Sequence, residues 1–239
     1  PALADEMLEN PVCRKISFTG STSVGKYLIG GAAKKCTLLA LELGGNAPAI
    51  VYGDADLAAA LNVAVPTKFA NAGQVCVTGD RFYIHESVHD LFVDGFVERA
   101  KAIKLGDGLD PTVGMGPLIN GGRVKEMDGI VSAAVKAGAK IAHGGAPSAS
   151  FNKGFFFEPT VLTDCTDDME VMAEENFGPI AAITRFSTDD EALARANSTD
   201  MGLSAYAFTT SPVRARRTVA ELKAGMVGIN SFAMAASEA

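Results

Sequence analysis

Cys76 lies in the stretch AGQVCVTGDR (72–81), among glycine, glutamine and small residues and outside any apolar run. A thiolate is a nucleophile only when its pKa is lowered and its sulfur is accessible. Gly73 and Gly79 permit close backbone approach, and a cysteine whose own N–H faces a carbonyl helps to stabilise an oxyanion. The same residues also describe a turn around a buried thiol, which is how cysteines commonly behave. Glu42 lies in the apolar segment LELGG (41–45). A carboxylate surrounded by apolar residues is costly and tends toward a raised pKa, which suits a general base near neutral pH. The alternative for Glu42 is a side chain pointing to solvent from an edge strand. EENFGP (174–179) sets Glu174 and Glu175 before an aromatic and a Gly-Pro turn, which alone reads as a solvated helix end.

Two further motifs match known patterns incompletely. His85-Glu86-Ser87-Val88-His89 spells the zinc-protease pattern, whose chemistry needs both histidines on one helix face. Here His85 closes a strand-like run and Ser87 resembles a helix cap, so the imidazoles should not share a face and no metal is expected. Gly20-Ser21-Thr22-Ser23-Val24-Gly25-Lys26 matches a phosphate loop, but Tyr27 stands where magnesium binding needs Ser or Thr. What survives is a strand, a glycine turn and a Ser-capped helix N-terminus, a plausible anion seat or simply a tight turn.

These residues must be positioned by alternating strands and helices. RKISFTG (14–20) reads as a buried strand, and STSVGKYLIGGAAKK (21–35) as a helix capped by Ser21 or Thr22. LLALELGG and PAIVYG suit strands, and Asp54 is expected to cap a helix running through Leu57, Leu61, Val65 and Phe69 to Gly73. RFYIH, AKIAHGG, FFFEPTVL, IAAITRF, SAYAFTT and MVGIN are further strands, with helices at 87–104, after 119, at DDEALARANS and at SPVRARRTVAELKAG. Strands alternating with helices of ten or more residues argue for an α/β fold with a largely parallel sheet.

The chain has 239 residues, 48% hydrophobic, and a net charge of −7. Acidic balance argues against nucleic acid as a partner, and no apolar run approaches the ~20 residues of a membrane helix. The opening PALADEMLENP is too polar for a signal peptide. Four irregularly spaced cysteines fit thiols in a reducing, cytoplasmic setting.

Taken together, FTGSTSVGK, LELGGNAPAIV, FANAGQVC, GPLIN, FFFEPTVL, EENFGP and GMVGIN resemble the aldehyde dehydrogenase superfamily in order and spacing. LELGG with a GQ-x-C cysteine 34 residues after its glutamate is the most specific part, and the semialdehyde branch, of the succinate-semialdehyde type, is the most similar. The resemblance implies the family's catalytic domain, a mostly parallel sheet with flanking helices, plus a remnant of a Rossmann-like cofactor domain. It implies boundaries at 1–42 (cofactor domain), 43–230 (catalytic domain) and 231–239 (start of a C-terminal segment). It implies Cys76 as nucleophile, forming a thiohemiacetal and then a thioester, and Glu42 as the base that activates the hydrolytic water. Gly20 and Ser21 would face the pyrophosphate of NAD or NADP, Leu43 and Gly44 would flank the nicotinamide, Glu175 would hold its ribose, and Phe177 would lie against the ring. The substrate would be a small-molecule aldehyde, and the assembly a homodimer or homotetramer.

Two departures from the family pattern bear on function. The chain is expected to begin inside the cofactor domain, without the Trp-Asn motif, the Lys-containing ribose motif or the C-terminal arm. The isolated chain is therefore expected to be inactive, and a truncated, non-catalytic scaffold or partner subunit is the alternative. Ala70 stands six positions before Cys76, where succinate-semialdehyde enzymes carry an arginine; Thr78 stands where some carry a second cysteine, and Ala235-Ala236 where a serine is usual. Losing one charge-assisted partner, typically worth about 1.5–3 kcal/mol, favours a bulkier or less acidic semialdehyde. Phe232 and Met234 are candidates for its pocket, or for plain core.

Overall fold

RKISFTG forms β1 (Lys15–Thr19), which pairs in parallel with β2 (Leu38–Glu42). The computed structural model describes residues 2–232 and divides into two units, Pro1–Gly44 and Gly45–Ala239. Met234, Ala235 and Ala236 lie outside the described residues.

In the first unit, α1 (Ala2–Glu9) and α2 (Thr22–Ala32) cover the two-stranded sheet. Leu8, Ile16, Leu28 and Ala32 form its buried core. The expected cap is Ser21, whose hydroxyl accepts the Val24 N–H at 3.4 Å. β1 is not the buried strand that its composition suggests, because only Ile16 of its five residues is buried. β2 alternates as well: Leu39 and Leu41 pack toward the small core, while Leu38 and Glu42 are exposed. Glu42 is thus not enclosed by its apolar neighbours, which face the other way along the pleat. Helix α1 had no clear signal in the acidic N-terminal stretch.

The second unit holds a seven-stranded sheet. In chain order its elements are β3 (Ala47–Val51), α3 (Leu57–Phe69), β4 (Gly79–His85), α4 (His89–Lys101), α5 (Gly121–Lys136) and β5 (Lys140–His143). They continue as β6 (Thr160–Thr163), α6 (Glu170–Ala173), β7 (Ile180–Phe186), α7 (Asp189–Ala196), β8 (Ser204–Phe208), α8 (Pro212–Glu221) and β9 (Met226–Ile229). The strand order is β5-β6-β7-β4-β3-β8-β9, parallel throughout except for β5. β3 and β8 are buried at every residue, as expected for parallel strands covered on both faces. On β4, Phe82 packs against Phe92 and Phe96 of α4, with ring centroids 6.4 and 5.3 Å away. The next residue, Tyr83, points to the other face, where the Arg195 guanidinium of α7 lies 5.1 Å from its ring centre.

Several boundaries differ from the sequence reading. The cap of α3 is Asp56, which accepts the Ala59 N–H at 3.0 Å, and not Asp54. Asp54 instead accepts from Thr209, Thr210 and Arg214; these bonds outweigh its partial burial and hold its carboxyl below the usual range. Helix α3 stops at Phe69 because Asn71, Ala72 and Gly73 adopt φ of +51°, +55° and +71°. FFFEPTVL is strand only from Thr160 onward; Phe157 makes an isolated bridge with Pro147. Ser87 caps no helix but bonds the His85 ring at 2.8 Å. His85 closes β4 while His89 opens α4, so the two imidazoles belong to different elements, as the strand-like run ending at His85 suggested. Among the described residues no helix is long and apolar enough to cross a membrane, and no group of three or more His, Cys, Asp or Glu is arranged to hold a metal.

Candidate active site

The Cys76 loop leaves the end of α3 and enters β4, so it lies at the N-terminal edge of the seven-stranded sheet. Its course is set by the three left-handed residues 71–73. Gly73 is required there twice over: its φ is +71°, and a Cβ would overlap the Gly178 carbonyl and come 3.0 Å from the Pro179 nitrogen. Gln74 braces the turn. Its Nε2 donates to the Asn71 carbonyl at 2.9 Å, its own carbonyl accepts from Asn71 Nδ2 at 3.0 Å, and its Oε1 accepts the Ile119 N–H at 2.9 Å. The glutamine before the cysteine thus ties FANAGQVC to GPLIN.

Three other segments converge on the same edge. Gly45, just before β3, abuts the Cys76 carbonyl so closely that a Cβ would overlap it. The Gly45 N–H donates to Glu175 Oε1 at 2.9 Å, and Asn46 Nδ2 donates to the Met172 carbonyl at 2.9 Å. Burial pushes the Glu175 carboxyl above its ordinary value, assisted by the Asp80 charge and opposed by the Gly45 N–H, Arg123 and Lys68. Arg123 on α5 donates to the Asn176 and Phe177 carbonyls at 2.7 and 2.9 Å, holding Phe177 at φ +44° with its ring partly exposed. From β8, the Tyr206 hydroxyl donates to the Val77 carbonyl, and its ring lies tilted against that of Phe232, centroids 4.1 Å apart. Burial raises the Tyr206 phenol, and the neighbouring Cys76 adds to the shift.

Cys76 is half-buried, unlike Cys165, which is enclosed in the core and whose thiol burial pushes up to about 12. Cys76, Glu175 and Phe177 therefore share one edge of the second unit. Ala70, at the C-terminal cap of α3, is exposed.

In the first unit, Gly20, Ser21, Glu42 and Leu43 meet at the C-terminal ends of β1 and β2. The Gly20 N–H donates to the Glu42 carbonyl at 3.0 Å, and Thr19 is in register with Glu42. Leu43 packs against α2 at Gly25, where a Cβ would come 2.6 Å from its methyl groups. Gly44 is the last residue of this unit.

The sequence reading missed two residues of the Cys76 edge, Lys68 and Asp80, which form a buried ion pair at 2.6 Å. The available signal was a lysine within the otherwise apolar run LNVAVPTKFA, where an unpaired ammonium would be costly.

The second unit is thus a largely parallel α/β sheet that presents a half-buried cysteine on a glycine-braced loop, with the half-buried Glu175 bound to the glycine on which that loop rests. The sequence profile of the Aldehyde dehydrogenase family matches residues 1–239, and the chain belongs to that family. It is 44% identical over 238 residues to the probable succinate-semialdehyde dehydrogenase [NADP(+)] of Sinorhizobium fredii, covering 100% of this chain and 48% of that protein. It is 43% identical to the 3-sulfolactaldehyde dehydrogenase of Pseudomonas putida, covering 95% of this chain and 46% of that protein. The crystal structure of succinate-semialdehyde dehydrogenase from Burkholderia pseudomallei superimposes with a TM-score of 0.95 at 43% identity, over 98% of this chain and 48% of that one. The chain thus spans about half the length of the curated relatives it matches.

Proposed function

We propose that the protein to which this chain belongs oxidises an aldehyde, of the semialdehyde class, to its carboxylate with NAD(P)+. Cys76 Sγ attacks the aldehyde carbon to give a thiohemiacetal, and its backbone N–H contributes to the oxyanion hole. Loss of hydride leaves a thioester on Cys76. Glu42 then takes a proton from water, the hydroxide adds to the thioester carbon, and the carboxylate leaves as Cys76 recovers its thiolate.

The residues present fit a dinucleotide on one observation: β1 ends at Thr19 and leads through Gly20 into the Ser21-capped N-terminus of α2, whose first-turn N–H groups suit a pyrophosphate. When bound, the nicotinamide accepts the hydride. Gly20 and Ser21 would hold the pyrophosphate, Leu43 and Gly44 would flank the nicotinamide, Glu175 would hold the ribose, and Phe177 would lie against the ring. Residues 1–42 are then the end of a cofactor-binding domain, 43–230 a catalytic domain and 231–239 the start of a C-terminal segment. The relatives named as NADP(+)-dependent favour NADP over NAD. Ala70, lacking a cation for a substrate carboxylate, favours a bulkier or less acidic semialdehyde. The assembly is a cytoplasmic homodimer or homotetramer.

The observation that carries this reading is the seating of Cys76, its backbone pressed on Gly45 while Glu175 binds the same glycine. Iodoacetamide labelling near pH 7, read by peptide mass spectrometry, tests it. Cys76 should react faster than Cys13, Cys36 and Cys165; a Cys76 no faster than these supports a non-catalytic scaffold instead. An aldehyde panel with each cofactor on the full-length protein then identifies the substrate, while the 239-residue chain alone should show negligible turnover.

A further inference from the structure

Lys68 and Asp80 bracket the Cys76 loop. Lys68 sits in the last turn of α3, and Asp80 is the second residue of β4. Their side chains are 0% and 3% exposed, with Nζ and Oδ1 2.6 Å apart. Beside them the Thr78 hydroxyl donates to the Thr67 carbonyl at 3.2 Å, so the loop is clasped at its two ends by one charged and one neutral bond. A buried ion pair is a poor stabiliser, since desolvating both charges offsets their attraction, and apolar residues often serve as well. Its placement here calls for another role. The pair also acts on Glu175, whose carboxyl feels Asp80 and Lys68 with opposite sign. Through Glu175 and the Gly45 N–H, the pair is linked to the glycine on which the Cys76 backbone rests.

We infer that Lys68 and Asp80 are positioning residues: together they close the Cys76 loop and present the site with a mutually compensated pair of charges in place of a net one. This rests on Cys76 being the reactive thiol. Other charged or titratable groups around the loop are Glu175, Arg123, Tyr206 and the buried Arg81, whose Nε donates to the Asn46 carbonyl at 3.0 Å, and none of them touches the clasp through a side-chain hydrogen bond identified in the described residues. Removing one partner leaves the other as an uncompensated charge next to the loop. A residual ammonium favours the Cys76 thiolate, and a residual carboxylate disfavours it.

The test is the pH dependence of Cys76 alkylation by iodoacetamide, resolved from the other three cysteines by mass spectrometry, in the full chain and three variants. Asp80→Asn keeps the shape and an acceptor for the ammonium, and should move the profile to lower pH, speeding alkylation at pH 7 about threefold. Lys68→Met should move it to higher pH, slowing alkylation about as much. The double variant Lys68→Met with Asp80→Asn should return the profile close to that of the unaltered chain. Shifts of both single variants in the same direction, or lowered melting temperatures with unmoved profiles, overturn the inference and leave a purely structural pair. Should Lys68→Met fail to melt cooperatively, Asp80→Asn and the double variant decide, and an unmoved Asp80→Asn profile overturns it. A Cys76 no more reactive than Cys13 in the unaltered chain sinks the catalytic reading instead, so the two failures are distinct.

Discussion

Replacing Gly73 with alanine should cost far more than the same change at Gly138, although both glycines have positive φ. Gly73 has φ +71° and Gly138 has φ +112°, so each substitution pays for a backbone that L residues avoid, about 1–2 kcal/mol. At Gly138 a new Cβ meets nothing within 4 Å, and the cost ends there. At Gly73 it overlaps the Gly178 carbonyl and approaches the Pro179 nitrogen at 3.0 Å. Neither neighbour is the end of a flexible side chain. The carbonyls of the two preceding residues, Asn176 and Phe177, are held by Arg123, and Gly178 is itself packed on Met127. Overpacking against backbone that cannot yield adds about 1–3 kcal/mol, for a total of about 2–5 kcal/mol. In a unit of this size each kcal/mol lowers the melting temperature by roughly 2–4 °C, so Gly73→Ala should melt well below Gly138→Ala. Urea or thermal unfolding of both variants gives the difference directly. Cys76 labelling should also slow in Gly73→Ala and remain unchanged in Gly138→Ala, because only the former displaces the loop. Equal destabilisation by the two substitutions, or an unchanged Cys76 rate in a folded Gly73→Ala, would refute the argument that this loop is wedged against residues 178–179.

The first unit, whose buried core is four side chains beneath two strands, should exchange its amide hydrogens and admit protease before the seven-stranded unit does; simultaneous protection loss in native-state hydrogen exchange would contradict this. Glu175 makes stability depend on pH. Its folded carboxyl titrates above its ordinary value of 4.5, so the folded state binds the proton more tightly and loses stability as pH rises through the interval between the two values. Glu175→Gln, which keeps an acceptor for the Gly45 N–H, should therefore gain melting temperature relative to the unaltered chain above this interval and not below it; parallel curves across pH would exclude burial as the cause. Cys165, with its thiol pushed up to about 12, should resist iodoacetamide at pH 8 until the protein unfolds.

Much of the fold was legible because its parallel strands are short apolar runs separated by helices with ordinary caps. IAAITRF is β7 to the residue, and Ser21 caps α2 as its position suggested. Failures fall where local signals compete. Asp54 and Asp56 are both good caps two residues apart, and only the waiting partners Thr209, Thr210 and Arg214 draw Asp54 away. The apolar neighbours of Glu42 left open an enclosed side chain or one facing solvent from a strand, and alternation along β2 turns it outward.

The residues proposed to carry chemistry can be named from the sequence: Cys76 in its glycine-bracketed loop, Glu42 in LELGG, and Glu175 before Phe177. Side-chain type and local spacing suffice for that, since they set which groups are able to react and which backbone shapes are allowed. Tertiary structure alone decided that Gly45, Cys76, Glu175 and Tyr206 meet at the N-terminal edge of one sheet, and that Lys68 finds Asp80 there. Those contacts join residues up to 130 positions apart, and strand order, which sets them, follows from which apolar faces bury one another and leaves no mark in any local stretch.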